Sequence, residues 1–203
     1  MTFAYEKTKN IEGYEYIIGC DEVGRGCLAG PVVAAAVALP VLGIKYKVLW
    51  KDIRDSKLLS AEKRQELEPI IKAHALAWGV GVVSEKIIDE INIHNASLLA
   101  MKRAVENLLS LDSSTLGRLA RDNRDKLLIA TDGKFVVPDL SIAQEAIVDG
   151  DNKVLSIAAA SIIAKVYRDN LMRKLHKQYP IYNLAQHKGY ATQYHRKIII
   201  ENG

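Results

Sequence analysis

Only two cysteines, Cys20 and Cys27, occur in the 203 residues, too few for a disulfide framework. They read as small reduced thiols of a cytoplasmic protein, with a single bridge across neighbouring strands as the alternative. No apolar run approaches the about 18 residues of a membrane span. The N-terminal MTFAYEKTKN lacks the basic start and apolar core of an export signal. No internal repeat or low-complexity linker breaks the chain, and no Cys/His cluster has zinc spacing. Membrane, secreted and zinc-finger classes are thereby set aside. What is present, 49% hydrophobic and 26% charged residues, is the composition of an ordinary globular chain. Burying roughly 70% of the unfolded surface is within reach at this length, so one domain over residues 1–203 is expected.

The formal charge is +4, but it is unevenly placed: residues 165–197 carry eight Lys/Arg against one acid, Asp169. A basic C-terminal third suits a polyanionic partner; a solvated helix face accounts for it equally well.

β-Forming residues at 14–20 predict a first strand, and PVVAAAVAL (31–39) a second, antiparallel across a short Gly-rich connection. Ser60 reads as the cap of a helix over 61–75 that Pro69 kinks or interrupts. A third strand is expected over 75–83. Helical spacing follows, with Ile87, Ile88 and Ile91 on one face and Leu98, Met101, Val105 and Leu108 on another. Residues 112–125 read as a polar loop. KLLIATDG (126–133) and SIAQEAIVDGD (141–151) predict two more strands. Residues 155–179 predict a long helix, and Thr192 the cap of a last short one. Strands followed by alternating helices and strands imply an α/β domain, a mixed sheet with helices on both sides.

Acids recur where strands end: Asp21 and Glu22, Asp132, and Asp149 with Asp151. Sites in α/β sheets are built at such ends. Gathered carboxylates repel unless cations meet them, and hard oxygen donors suit Mg²⁺ or Mn²⁺. Two such ions can activate water and stabilise a leaving oxygen in phosphodiester hydrolysis. Taken singly, each Asp-Gly is equally a turn signal. The glycines of Gly24-Arg25-Gly26 let backbone approach a ligand closely; a tight turn with Arg25 paired to a neighbouring acid is the simpler reading. Trp50 and Trp78 read as packing residues. His74, His94, His176 and His195 lack metal spacing and read as surface or hydrogen-bonded structural residues.

Taken in order, DEVGRG with LAGPVV, DSKLLS, ATDG, GD with SIAAASIIAKVYRD, and HKGY resemble type 2 ribonuclease H, and most nearly the bacterial ribonuclease HII family. The resemblance covers about residues 16–195. It implies an RNase H-like fold, a mixed five-stranded sheet flanked by helices with a small helical C-terminal extension. The extension, about residues 180–203, would touch substrate. The resemblance also implies a two-metal site, completed by substrate, on Asp21, Glu22, Asp132 and Asp151, with Asp149 a mere neighbour. Gly24, Arg25, Gly26 and Tyr190 would recognise the ribonucleotide, with Tyr190 against the following deoxyribose. The implied reaction cuts 5′ of a ribonucleotide in RNA–DNA hybrids and of single ribonucleotides in duplex DNA, leaving 3′-OH and 5′-phosphate. Its implied setting is ribonucleotide removal in DNA repair. Lys57, Lys165, Arg168 and Lys188 are phosphate-contact candidates; Lys165 and Arg168 are three apart on one helix. His187 is kept outside the catalytic group.

Two positions depart from the family pattern: Cys27 stands where proline is usual and Lys134 where asparagine is common. A monomer is expected, and nothing indicates a replication-clamp contact. The sister ribonuclease HIII family carries an added N-terminal substrate domain, which is not expected here.

Overall fold

The apolar run before the first acid pair forms β1 (Tyr16–Val23), which continues past its expected end to include both acids. After the Gly-rich turn, β2 (Val32–Ala38) returns antiparallel, pairing Glu22 with Ala34 and Ile18 with Ala38. β3 (Ala77–Val83) lies antiparallel to β2, whereas β4 (Leu127–Asp132) and β5 (Ala143–Ile147) are parallel additions beside β1. The sheet order is β3-β2-β1-β4-β5, the expected mixed five-stranded sheet. These features come from a computed structural model that describes residues 3–39, 50, 52–53, 56–110 and 124–203. The polar segment read as a loop falls mostly outside the described residues.

Around the sheet lie α1 (Ala4–Ile11), α2 (Ala61–His74), α3 (Glu85–Leu109), α4 (Gly150–Lys153), α5 (Leu155–Gln178), α6 (Leu184–His187) and α7 (Gln193–Asn202). Helix α3 covers one face, packing Ala96, Ala100, Met101 and Ala104 against Ile18, Cys20 and Ala34. Helix α5 covers the other, with Leu155, Ala158 and Ile162 against Ala35 and Val37, and Ile157 against Ile17 and Ala130. Side chains alternate along a strand. Even-numbered positions of β1 therefore face α3 and odd-numbered positions face α5. That parity sends the adjacent acids to opposite faces, Asp21 toward α5 and Glu22 toward α3.

Gly19 lets the start of α5 come close to the strand: a Cβ there would lie 2.1 Å from the carbonyl carbon of Ser156. An element the sequence did not announce, α1, closes this end. Buried Glu6 accepts from the Ser156 N–H at 2.9 Å and its hydroxyl at 3.2 Å. A carboxylate at a helix start is favoured by the exposed N–H groups there, while burial pushes the Glu6 carboxyl up.

Two expectations are corrected. Helix α2, capped by Ser60 through the Lys63 N–H at 3.2 Å, runs through Pro69 to His74. Both Pro69 and Gln65 are exposed, so water replaces the bond proline cannot donate. The two helical patterns expected over 85–109 are both present in α3 and meet at a kink, where Asn92 leaves helical geometry. Strand β5 stops at Ile147 instead of reaching the acids. Trp50 is buried and Trp78 packs partly buried against the α5-side core, as expected.

Candidate active site

Asp21 at the end of β1, Asp132 at the end of β4 and Asp151 in α4 converge from three distant segments, each with one carboxylate oxygen within 4.8 Å of the others'. Local chemistry fixes each arm. The Glu22 N–H donates to Asp21 Oδ1 at 2.7 Å, and the Gly150 N–H donates to Asp132 Oδ1 at 2.7 Å. The second bond ties β4 to the segment that carries Asp151. Asp149 takes a left-handed conformation, φ 60°, and accepts from the Asn152 amide at 2.9 Å, outside the cluster. That turn lets Asp151 enter the site while Asp149 leaves it. Glu22 stands on the α3 side beside Asp132, and Lys57 reaches Asp151 Oδ2 at 3.4 Å.

Electrostatics here are unfavourable without a cation. Burial pushes the Asp21 carboxyl well above the usual range, and Glu22, Asp132 and Asp151 add to it. Burial and the Asp132 charge raise Glu22 to about 7, while Arg25 and Lys57 pull it down. Such a set, all oxygen and over-negative, fits a hard divalent ion such as Mg²⁺ or Mn²⁺.

A pH dependence follows from Glu22. Its folded value lies above its ordinary 4.5, so its stabilising contribution is full below 4.5 and is lost as pH rises through about 7. In metal-free protein, Glu22→Gln should therefore gain stability over the unsubstituted chain between pH 4.5 and 7. The gain should reach on the order of 3 kcal/mol, since each tenfold change in an acidity constant is worth about 1.4 kcal/mol. Calorimetry across that range in chelator measures it; a constant difference between the two proteins would contradict it.

The Gly-rich turn sits between two walls. Gly24 has φ +121°, and a Cβ there would meet the Arg168 side chain at 2.7 Å and the Pro31 carbonyl at 2.8 Å. Nothing lies within 4 Å of a Cβ at Gly26, so the backbone there is open to a ligand. Cys27 makes an isolated antiparallel bridge to Tyr190, and the Leu28 N–H donates to the Gly189 carbonyl at 2.9 Å. Half-exposed Tyr190 carries the Lys165 ammonium 5.3 Å from its ring centre, and Lys165 pairs with Asp169 at 2.8 Å. The turn also holds Arg25, 3.9 Å from Glu22 and 3.2 Å from His94 Nδ1.

Arg168 is corrected from phosphate contact to internal clamp. It is fully buried and donates to the carbonyls of Pro31 at 2.9 Å, Lys188 at 2.8 Å and Ala29 at 3.1 Å. One guanidinium thus fastens the Gly-rich turn to the HKGY loop. Lys188 turns its ammonium back onto the Ala185 carbonyl, and burial lowers its pKa. His187 stacks on His195, ring centres 4.0 Å apart, and receives the Gly189 N–H. Burial lowers its pKa and favours the neutral, accepting ring. Both cysteines are free, Cys20 in the core and Cys27 half-buried.

Phe135, which escaped the sequence reading, and His94, read there only as a surface or hydrogen-bonded structural residue, line a cavity beside Glu22 and Asp132. A signal for His94 existed, since it lies seven residues before Met101 on the inward stripe of α3.

Clustered carboxylates at the ends of the two central parallel strands, with helices on both faces, define a metal-dependent nuclease of the RNase H-like class. Solved structures agree in fold. The ribonuclease HII of an Archaeoglobus fulgidus complex with PCNA has a TM-score of 0.63 at 25% identity, covering 92% of this chain and 87% of that one. Pyrococcus horikoshii ribonuclease H2 has a TM-score of 0.61 at 24% identity, covering 92% and 85%. The family model for ribonuclease HII matches residues 18–203. A ribonuclease HII of Alkaliphilus metalliredigens is 45% identical over 192 residues, 95% of this chain and 87% of its own. That of Parabacteroides distasonis is 46% identical over 203 residues, 100% and 90%. The chain belongs to the ribonuclease HII family, and it is a metal-dependent endoribonuclease of the ribonuclease H type. Among the described residues, no helix is long and apolar enough to cross a membrane.

Proposed function

We propose that this enzyme hydrolyses the phosphodiester 5′ of a ribonucleotide, both in RNA–DNA hybrids and at single ribonucleotides embedded in duplex DNA. The products are a 3′-OH and a 5′-phosphate, and the role is removal of ribonucleotides left in DNA. The observation that carries this reading is the convergence of Asp21, Asp132 and Asp151 within 4.8 Å beside a Gly-rich turn bridged to Tyr190.

Asp21, Glu22, Asp132 and Asp151 hold Mg²⁺ or Mn²⁺. When bound, divalent ions supply Lewis-acid activation of water and neutralise charge on the leaving 3′ oxygen. The protein's own part is positioning. Backbone groups of Gly24, Arg25 and Gly26 meet the 2′-OH, the group that separates RNA from DNA and that both donates and accepts. Polar groups left unpaired by a missing hydroxyl can reject the deoxy analogue by about 10⁴-fold. Tyr190, steadied by Lys165, packs against the following deoxyribose and disfavours a second 2′-OH there. Lys57 and Lys165 meet phosphates; Lys188 and Arg168 support the loops that present them. Residues 1–203 act as one domain, with 180–203 forming the Tyr190 side of the substrate cleft. The enzyme works as a cytoplasmic monomer.

The test uses duplexes containing no, one or many ribonucleotides, incubated with Mg²⁺ or Mn²⁺, with product ends mapped. Cutting is expected 5′ of the single ribonucleotide and within the long run, and not in all-DNA duplex. Cleavage of long hybrids alone, or binding without any cleavage, would contradict the proposal.

A further inference from the structure

We infer that the pocket between α3 and the β4–β5 loop seats the sugar–phosphate immediately 5′ of the scissile phosphate, with Phe135 and Lys134 as its specific contacts. This rests on the proposed cleavage at ribonucleotides. The pocket, about 160 Å³, is lined by Glu22, Arg25, His94, Lys134 and Phe135 among others. That is well below the roughly 300 Å³ at which pockets take drug-sized ligands, and suits a phosphate with the edge of a sugar. Its chemistry matches: Arg25 and Lys134 offset the Glu22 and Asp132 carboxylates of the same lining where a phosphate would enter, and an aromatic ring meets the sugar face.

The walls are built in advance. Phe135 is 50% exposed, an unfavourable place for a large apolar side chain, yet its loop is fixed at several points. The Thr131 hydroxyl donates to the Phe135 carbonyl at 2.9 Å, and the Gly133 N–H to the Ile147 carbonyl at 3.0 Å. Val137 and Gln144 exchange two hydrogen bonds of 2.8 Å. The ring meets His94 edge-on, centres 4.7 Å apart, and His94 Nδ1 lies 3.2 Å from the Arg25 guanidinium. His94 is delivered by the bend of α3, where Asn92 holds φ 65° and ψ 164° and its side chain accepts from the Asn95 N–H at 3.1 Å. Non-glycine residues pay for that backbone region and keep it chiefly at functional sites.

Position assigns the occupant. Lys165, carried by α5, lies over Tyr190, whereas this pocket takes its lining from α3 and the β4–β5 loop and includes Glu22 and Asp132. A strand whose 3′ neighbour lies against Tyr190 crosses the carboxylates at the scissile phosphate and leaves over Phe135. The nucleotide there is the one 5′ of the cut.

Binding to a duplex with one central ribonucleotide tests this by fluorescence anisotropy in Ca²⁺, with absence of product verified. Phe135→Ala should weaken binding at least about fivefold, the low end for losing an aromatic contact to nucleic acid. Lys134→Ala should reduce the slope of log Kd against log salt by about one. A neutral methylphosphonate at the phosphate next 5′ to the scissile one should erase that slope change, and one placed two linkages 3′ should not. Wild-type affinity in Phe135→Ala, or a Lys134→Ala slope change absent or insensitive to that methylphosphonate, would overturn the inference. Cleavage of the unmodified duplex by the unsubstituted enzyme is measured in parallel, in Mg²⁺. If it cuts at the ribonucleotide while the variants show no effect, only this inference fails; if it does not cut, the functional reading fails and takes the inference with it.

Discussion

Replacing Asp132 by asparagine is expected to abolish cleavage, by on the order of 10³-fold or more, the scale of removing one preorganised electrostatic group from a reaction site. Asparagine is nearly isosteric, and its carbonyl can still accept the Gly150 N–H that now reaches Asp132 Oδ1 at 2.7 Å. The connection between β4 and α4 therefore survives, and so should the fold. The charge does not survive. Asp132 is among the neighbours that raise both Asp21 and Glu22, so its neutralisation relaxes that repulsion. Loss of activity should accordingly come with a higher thermal midpoint in chelator. A disrupted fold would lower both, and retained Mg²⁺-dependent cleavage would refute the role of Asp132.

Arg168→Leu is expected to destabilise the protein by at least about 4 kcal/mol, because buried hydrogen bonds from a charged donor are each worth roughly 1.5–3 kcal/mol and their acceptors would be left bare. The carbonyls of Ala29, Pro31 and Lys188 all depend on this one guanidinium. Arg168→Lys should recover little, since an ammonium lacks the planar fork that reaches three separate acceptors. Denaturant midpoints measure the loss. A direct phosphate contact would behave otherwise: Arg168→Lys would fold normally, and the lysine charge would preserve most of the salt dependence of binding.

The motifs were legible because chemistry forces residue types: a turn that accepts Gly24 at φ +121° against Arg168 tolerates no side chain. The antiparallel pairing of β1 with β2 followed from their short connection, and the Ser60 and Thr192 caps from side-chain oxygens that satisfy orphan N–H groups. Harder to read was direction. Asp21 and Glu22 looked like a pair past the end of a strand, but the strand extends through them and splits them between its faces. Lys165 and Arg168 looked alike at a spacing of three, yet residues three apart on a helix are about 60° apart around its axis. That rotation carries Arg168 into the core and leaves Lys165 at the rim over Tyr190. Nothing local could reveal Glu6 at the start of α5, a contact across 150 residues, or that His94 meets Phe135. The first exists only once α1 packs on α5, and the second only once α3 lies beside the loop after β4.

The proposed catalysis depends on carboxylates from β1, β4 and α4 sharing a divalent cation. Anomalous diffraction from crystals soaked in Mn²⁺, recorded with and without a bound non-cleavable substrate, tests that sharing without reference to turnover. A manganese peak is expected among Asp21, Asp132 and Asp151, lost in Asp132→Asn. Manganese bound elsewhere, with those three side chains unliganded, would contradict it.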